Sequence, residues 1–506
     1  MSMTFSIKKN VLLINPAVNP ASQNKIVNQL IVKIIPTSIG ILAGCLIDRK
    51  VVESVRIVDE QVEFIEDNDV KEIILSIDKP RVVGISALTI NSRRAYDLAE
   101  KIKKVDMCAL VVLGGIHPTV STDETLRQTG IDVVVRGEGE ETFTELVELV
   151  LSGKDYTRIN GISRKKNGNI VHNPDRPMIR NLDDIPSFPY HLFENIMDKY
   201  PSFGCIFTSR GCPYKCIFCS SRSISGMQYR IYSIERIVSE IKLLVEKYNQ
   251  KTIWIMDDNI AVNPKRFKSF VKLVIKEGLH KKTEFHGSMR GDNLTDEVLE
   301  LAKKGNFRMI SFGMETGTEQ LMKLIDKRET VEAVVSAIKR THQKGITTAA
   351  TLIFGLPTET RKDRWETMRL VRSLPLASAR FNTLCPYPGT PAFVQLNSKG
   401  KVLIKEDWAN FAVQYMWEGD DIPYVPDGNN RYELIFDTMF ANLSFYLSFS
   451  GIMKLFKSSI AGGNVVRLSE RWYFSPKTIW RLSMLFLYLS RRFSMVTLKM
   501  ITKQER

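Results

Sequence analysis

The sequence predicts an α/β protein of two successive parallel sheets covered by helices, ending in a mainly helical C-terminal region. Two observations carry this reading. Short, continuous apolar runs alternate with amphipathic helical segments, the pattern of strands buried on both faces. That rhythm runs to about residue 155, breaks, resumes after residue 201 and stops near residue 400. At 506 residues the chain has room for several cores, and its 44% hydrophobic and 25% charged residues are those of a globular protein. The expected domains are 1–155, a linker with a small hairpin at 156–200, a barrel-like domain at 201–400, and a basic, mainly helical domain at 401–506.

In the first domain, strands are expected at 11–16, 55–59, 82–86, 110–113 and 133–135, with helices at 37–48, 70–77, 92–104 and 141–151. Such sheets bind ligands beyond the carboxyl ends of their strands. Ser86-Ala87-Leu88 and Gly114-Gly115 fall at two such ends, where small residues let a bulky ligand approach the backbone. Gly137-Glu138-Gly139-Glu140-Glu141 has the form of a phosphate loop opening a helix. Its three glutamates would repel a pyrophosphate and suit the helix dipole instead, so no dinucleotide site is expected there. His117, after the glycine pair, reads as a surface or loop histidine. Residues 161–191 lose the periodicity, with a hairpin turn at 165–169 and prolines at 174, 177, 186 and 189.

The next stretch carries Cys212, Cys216 and Cys219 in a C-x3-C-x2-C spacing. Clustered thiolates hold zinc or iron–sulfur clusters. A structural zinc wants four protein ligands, and no fourth cysteine or histidine follows at ligand spacing. A cubane held by three thiolates leaves one iron free for a ligand that is not protein. The other four cysteines, Cys45, Cys108, Cys205 and Cys385, read as small buried hydrophobes.

Beyond the cysteines, helices are expected at 233–248, 264–277, 296–304 and 331–344, and strands at 252–256, 283–288, 309–313, 347–354 and 380–384. Polar groups recur at the strand ends: Asp257-Asp258, Arg290, Glu315 and Gly355. Barrels of βα units carry their chemistry on that face, and a partial (β/α)6 barrel fits the order. After residue 400 the rhythm gives way to apolar helical stretches at 432–449 and 480–500, expected to cap the barrel with basic faces in solvent. From residue 451 onward eleven basic residues stand against two acidic ones, within a net charge of +15. That asymmetry suggests an acidic partner.

The cysteine spacing, with a glycine before the first and an aromatic before the last, resembles the signature of the radical S-adenosylmethionine (SAM) superfamily. The resemblance implies a 4Fe–4S cluster on Cys212, Cys216 and Cys219, whose open iron chelates SAM before its cleavage to a 5′-deoxyadenosyl radical. It implies that Asp257 and Asp258 receive SAM's amino group, Glu315 lies near its ribose and the backbone at Gly355 meets its adenine. Arg290, with its forked donors, is placed to pair with a carboxylate. The first domain is similar to the Rossmann-like cobalamin-binding domain, in which Ser86, Leu88, Gly114 and Gly115 would line the slot for the nucleotide tail. Arg136-Gly137-Glu138-Gly139-Glu140 matches a motif common in cobalamin-dependent radical SAM proteins. The family's Asp-x-His-x-x-Gly element is absent, so the cobalt is expected to have no histidine below it.

The function implied is that of a cobalamin-dependent radical SAM methyltransferase acting on an unactivated carbon. One SAM would methylate cobalamin, and a second would yield the radical that activates the substrate carbon to take the methyl from methylcobalamin. Alternatives are a non-methylating oxidative cyclase or rearrangement enzyme of the tetrapyrrole-cyclase kind, and a non-catalytic metal- or cobalamin-binding module. Expected partners are a small-molecule or lipid-like substrate, an electron donor such as flavodoxin or ferredoxin, and peripheral membrane contact through the basic C-terminal region. Nucleic acid is not expected, since no reading module accompanies the charge. Residues 1–10 lack the apolar core of a signal peptide and no disulfide framework is evident, so a cytoplasmic setting is expected.

Overall fold

In the computed structural model, residues 10–18, 33–200, 202–447 and 476–502 are described, without the side chains of 447 and 476–486. The expectations for residues 1–9 and for the basic positions Lys454, Lys457, Arg467, Arg471, Lys503 and Arg506 lie outside them.

The first sheet has seven strands: β1 (Val11–Asn15), β2 (Arg56–Asp59), β3 (Val82–Ser86), β4 (Leu110–Gly114), β5 (Val133–Val135), β6 (Ile162–Lys166) and β7 (Asn169–His172). Their spatial order is β2-β1-β3-β4-β5-β6-β7. The first five run parallel, and β6 and β7 add an antiparallel edge. The hairpin assigned to a linker thus extends this sheet. Alternate strand residues feed two cores, one on each face: Leu12, Val83 and Val111 on one side, Leu13, Val82 and Val112 on the other. Cys108, expected in a core, is exposed in the turn after the helix Ser92–Val105, where its N–H bonds Asp106.

Residues 182–199 are not a loose tether. Leu182, Ile185, Tyr190, Phe193 and Ile196 are buried in the main core of the second domain, most of them on the 3₁₀ segment Tyr190–Lys199. Apolar residues anchor what the prolines had suggested was a spacer.

The second sheet contains β8 (Cys205–Ile206), followed after a two-stranded ribbon, β9 (Ser209–Arg210) and β10 (Arg230–Ile231), by β11 (Thr252–Ile255), β12 (Glu284–Ser288), β13 (Phe307–Glu315), β14 (Thr347–Phe354) and β15 (Ser378–Thr383). Its six strands lie all parallel in the order β15-β14-β13-β12-β11-β8, the partial (β/α)6 arrangement expected. Six of the helices that follow start on a side-chain cap: Ser233, Asn263, Thr295, Thr330, Thr360 and Thr390 accept from a backbone N–H three residues on. Each such cap contributes about 1 kcal/mol and fixes where the βα loop ends.

The helix Arg431–Leu447 packs on β15, and Pro476–Ile501 packs on that helix. Asn442 donates to Phe381 O at 2.8 Å and accepts from Phe381 N at 3.1 Å, occupying both backbone groups of that edge-strand residue. Arg492, expected on a solvent face, is buried; it bonds the Met416 and Gly419 carbonyls and pairs with Asp420 at 2.6 Å. Among the described residues, no helix is long and apolar enough to cross a membrane.

Candidate cofactor and active site

The cysteine loop is held at its base. Gly211, at φ +83°, would place a Cβ 2.2 Å from the Gln228 carbonyl oxygen, so glycine is required where the chain turns out of the ribbon. Asp257, at the end of β11, accepts from Thr208 N (2.6 Å), Thr208 Oγ1 (2.5 Å) and Ser209 Oγ (2.6 Å). Ile217 N bonds Ile325 O, and Ala392 N bonds Ile217 O, so the loop's middle is tied to the barrel.

The three cysteines are half-buried. Burial raises all three thiols, Cys219 to about 12. They are therefore neutral thiols until a metal's charge draws the protons off. Among the described residues, no three His, Cys, Asp or Glu side chains converge as ligands of one ion would. The donor set, three soft sulfurs on one loop, fits an iron–sulfur cluster.

The strand ends bring the other predicted residues to this face, with different occupations. Asp257 is fully buried and raised by that burial; its carboxylate supports the loop. Asp258 accepts from Ser221 Oγ at 2.6 Å and lies on the cavity wall. Arg290 forks onto Asp292 at 3.1 and 2.8 Å, donates to the carbonyls of Lys327 and Arg328, and stacks 3.6 Å over Tyr214. Glu315, at φ +60°, pairs with Lys327 at 2.9 Å. Gly355 donates its N–H to Glu359 and is not on the cavity wall.

Lys327 and Glu329 were not singled out from sequence. Lys327 is nearly fully buried; burial opposes its charge, but Glu315 and Glu329 more than offset that and hold it protonated. It lies in the field of Cys216 and, with Arg290, sets positive charge beside the thiols. In the sequence, Lys327-Arg328-Glu329 has the look of an ordinary surface charge run.

A cavity of about 590 Å³ opens between the two sheets. Ser86, Gly114 and Gly115 line it from the first sheet, and Arg210, Cys219 and Asp258 from the cysteine side. Gly115, at φ +96°, would set a Cβ 2.7 Å from Ala87 O, so the close turn of backbone at this wall depends on glycine. Leu88, expected on the wall, is instead 53% exposed and outside it. His117 corrects the expectation of a surface histidine. It is fully buried beneath the wall, with Nε2 3.0 Å from Tyr96 Oη and 3.1 Å from Glu124, and its ring edge-on to Trp408. The mainly apolar lining and the small-residue wall fit close approach of a large flat ring such as the corrin of cobalamin.

Comparison with known proteins agrees with this geometry. The radical SAM superfamily model matches residues 206–371, and the B12-binding domain model matches residues 32–147. A curated relative, an uncharacterised methyltransferase of Pyrococcus horikoshii, is 36% identical over 341 residues, covering 66% of this chain and 73% of the relative. The chain belongs to the cobalamin-binding radical SAM superfamily. The anaerobic magnesium-protoporphyrin IX monomethyl ester cyclase of Rubrivivax gelatinosus is 30% identical over 398 residues, 75% of this chain and 68% of that protein. Among solved structures, the radical SAM methyltransferase TsrM of Kitasatospora setae with cobalamin and a [4Fe–4S] cluster bound superposes with a TM-score of 0.67. The superposition covers 90% of this chain and all of that one at 16% identity. The cobalamin-dependent enzyme OxsB gives 0.69, over 97% and 72% of the two chains, also at 16%. At such identities these two structures speak to the fold alone. As a family member, the chain is a radical SAM enzyme whose cofactors are a 4Fe–4S cluster, SAM and cobalamin.

Proposed function

We propose that this enzyme transfers a methyl group from SAM to an unactivated carbon of a small-molecule substrate. The observation that carries the reading is a cavity whose walls come from both sheets, with Gly114 and Gly115 on one side and Cys219 and Asp258 on the other. When bound, the cluster supplies the electron that cleaves SAM, and cobalamin carries the methyl group. The chain's residues bind and orient: Cys212, Cys216 and Cys219 hold the cluster, and Asp258, Arg290, Glu315 and Lys327 offer charges to SAM. Ser86, Gly114 and Gly115 make room for the corrin. The mainly apolar wall keeps water from a reactive radical. Relatives named as methyltransferases support this reading.

The test is anaerobic reconstitution with iron, sulfide and cobalamin, followed by methyl-labelled SAM under reducing conditions. Release of 5′-deoxyadenosine is expected, with label leaving SAM for the corrin fraction; Cys212→Ala should lose iron and 5′-deoxyadenosine together. Label that stays on SAM refutes methyl transfer. The cyclase relative favours a second reading, oxidative ring chemistry, which predicts 5′-deoxyadenosine without label transfer. A non-catalytic module would release neither.

For the electron source, the net charge of +15 favours docking of an acidic protein such as flavodoxin or ferredoxin. Exposed Leu487, Met495, Leu498 and Ile501 on the helix Pro476–Ile501, with Arg491 among them, support peripheral contact with anionic lipid and a lipid-like substrate. Cosedimentation with anionic vesicles checks this contact.

A further inference from the structure

The turn after β5 and the first turn of the helix Gly139–Leu151 carry two little-exposed glutamates, Glu138 and Glu140, paired with arginines of the second domain. Glu138 stands at the N-cap of the helix Gly139–Leu151, yet its side chain makes no capping bond. Its Oε1 accepts from Arg210 Nη1 at 3.0 Å and Arg230 Nη2 at 2.9 Å; its Oε2 accepts from Arg230 Nη1 at 2.8 Å and Ile179 N at 2.9 Å. Glu140 takes the other arm of Arg210 at 2.6 Å. Arg210 and Arg230 are register partners in the β9–β10 ribbon. Like charges facing each other weaken a strand pair; Glu138 bridges the two guanidiniums and, together with Glu140, offsets their charge.

That ribbon is the root of the cysteine loop, with Arg210 directly before Gly211 and Cys212. Asp257 grips Thr208 and Ser209 from the barrel side, while Glu138 and Glu140 grip Arg210 from the first sheet. Both glutamates also lie on the wall of the shared cavity. The root of the loop is thus pinned by carboxylates from both domains.

We infer that Glu138, assisted by Glu140, is a positioning residue that fixes the distance and orientation between corrin and cluster by tying the cysteine-loop ribbon to the cobalamin sheet. The inference rests on cobalamin occupying the cavity. Its test uses the full chain loaded with both cofactors, with cob(II)alamin and the reduced cluster as paramagnetic centres. Pulsed dipolar EPR then reads the distribution of distances between them. The wild type should give one narrow distribution. Glu138→Gln should broaden it by about twofold or shift its mean, with Glu138→Asp between the two.

An unchanged distribution in the fraction of Glu138→Gln holding both cofactors overturns the inference, even if that variant loads less iron, since Glu138 would then serve folding alone. If Glu138→Gln gives no folded protein, Glu140→Gln is read on the same scale. It removes one of Arg210's partners and leaves Arg230 paired, and an unchanged distribution there overturns the inference equally. Failure of the cavity reading looks different: the wild type itself would show no cobalt signal, or centres too far apart to share one cavity.

Discussion

Glu359 offers a sharp test of the electrostatics behind the barrel's strand ends. It follows Gly355 in the turn after β14 and is buried at 1% exposure. Its Oε2 accepts from Gly355 N, while its Oε1 has no hydrogen-bond partner. The neighbouring guanidinium of Arg364 is committed elsewhere: Nε bonds Asp437 at 2.9 Å, and Nη1 is 3.8 Å from Glu359. Burial therefore prevails, offset only in part by Arg364, and lifts the carboxyl from its ordinary 4.5 to about 8. A carboxyl raised on folding contributes its stability fully below pH 4.5 and loses it as pH climbs through 8. Between pH 5 and 9 the wild type should lose on the order of 4 kcal/mol through this one group. Glu359→Gln cannot ionise, so its stability relative to wild type should rise over that interval. Urea unfolding of both proteins at pH 5, 7 and 9, followed by tryptophan fluorescence, measures the difference. A difference that is flat with pH would mean Glu359 is already ionised in the folded chain and refute the reasoning.

Two further substitutions probe the site. Asp257→Asn keeps the shape and one acceptor but loses a charge-assisted bond of about 1.5–3 kcal/mol at the loop's base. Reconstituted protein should hold less iron per chain, and an unchanged iron content would show that Thr208 and Ser209 need no carboxylate. Gly115→Ala forces a Cβ towards the Ala87 carbonyl at a backbone conformation open essentially to glycine alone (φ +96°, ψ −173°), a strain of about 1–3 kcal/mol before any shift. Cobalamin retained after gel filtration, read by visible absorbance, should fall; full retention would place the corrin away from this wall.

Both parallel sheets were legible because a strand buried on two faces is an uninterrupted apolar run. Strands 82–86, 133–135 and 347–354 fall where the sequence put them. β8 escaped because two residues carry no period, and the 182–199 segment because its prolines hid a set of buried apolar residues. The cysteines were legible from spacing. The partners of the strand-end charges were not. Nothing local in Asp257 tells whether its oxygens face a ligand or Thr208, since that depends on a neighbour 49 positions away. Glu138 failed for the same reason: helix-dipole logic explains a glutamate at a helix start and cannot see Arg230 92 residues on. Arg492 reads as solvent-facing on a helix until Asp420 and two carbonyls are brought beneath it.

The contact between Asn442 and Phe381 reaches beyond the single residue pair. A barrel of six strands does not close, so β15 would otherwise present bare N–H and C=O groups along its rim, an invitation for another chain's strand to add on. One primary amide, offering an acceptor and a donor in the spacing of a peptide group, stands in for a seventh strand at its most central position. The helix Arg431–Leu447 therefore acts as a guard against self-association. Trimming it to isolate a minimal catalytic unit would bare the edge of β15.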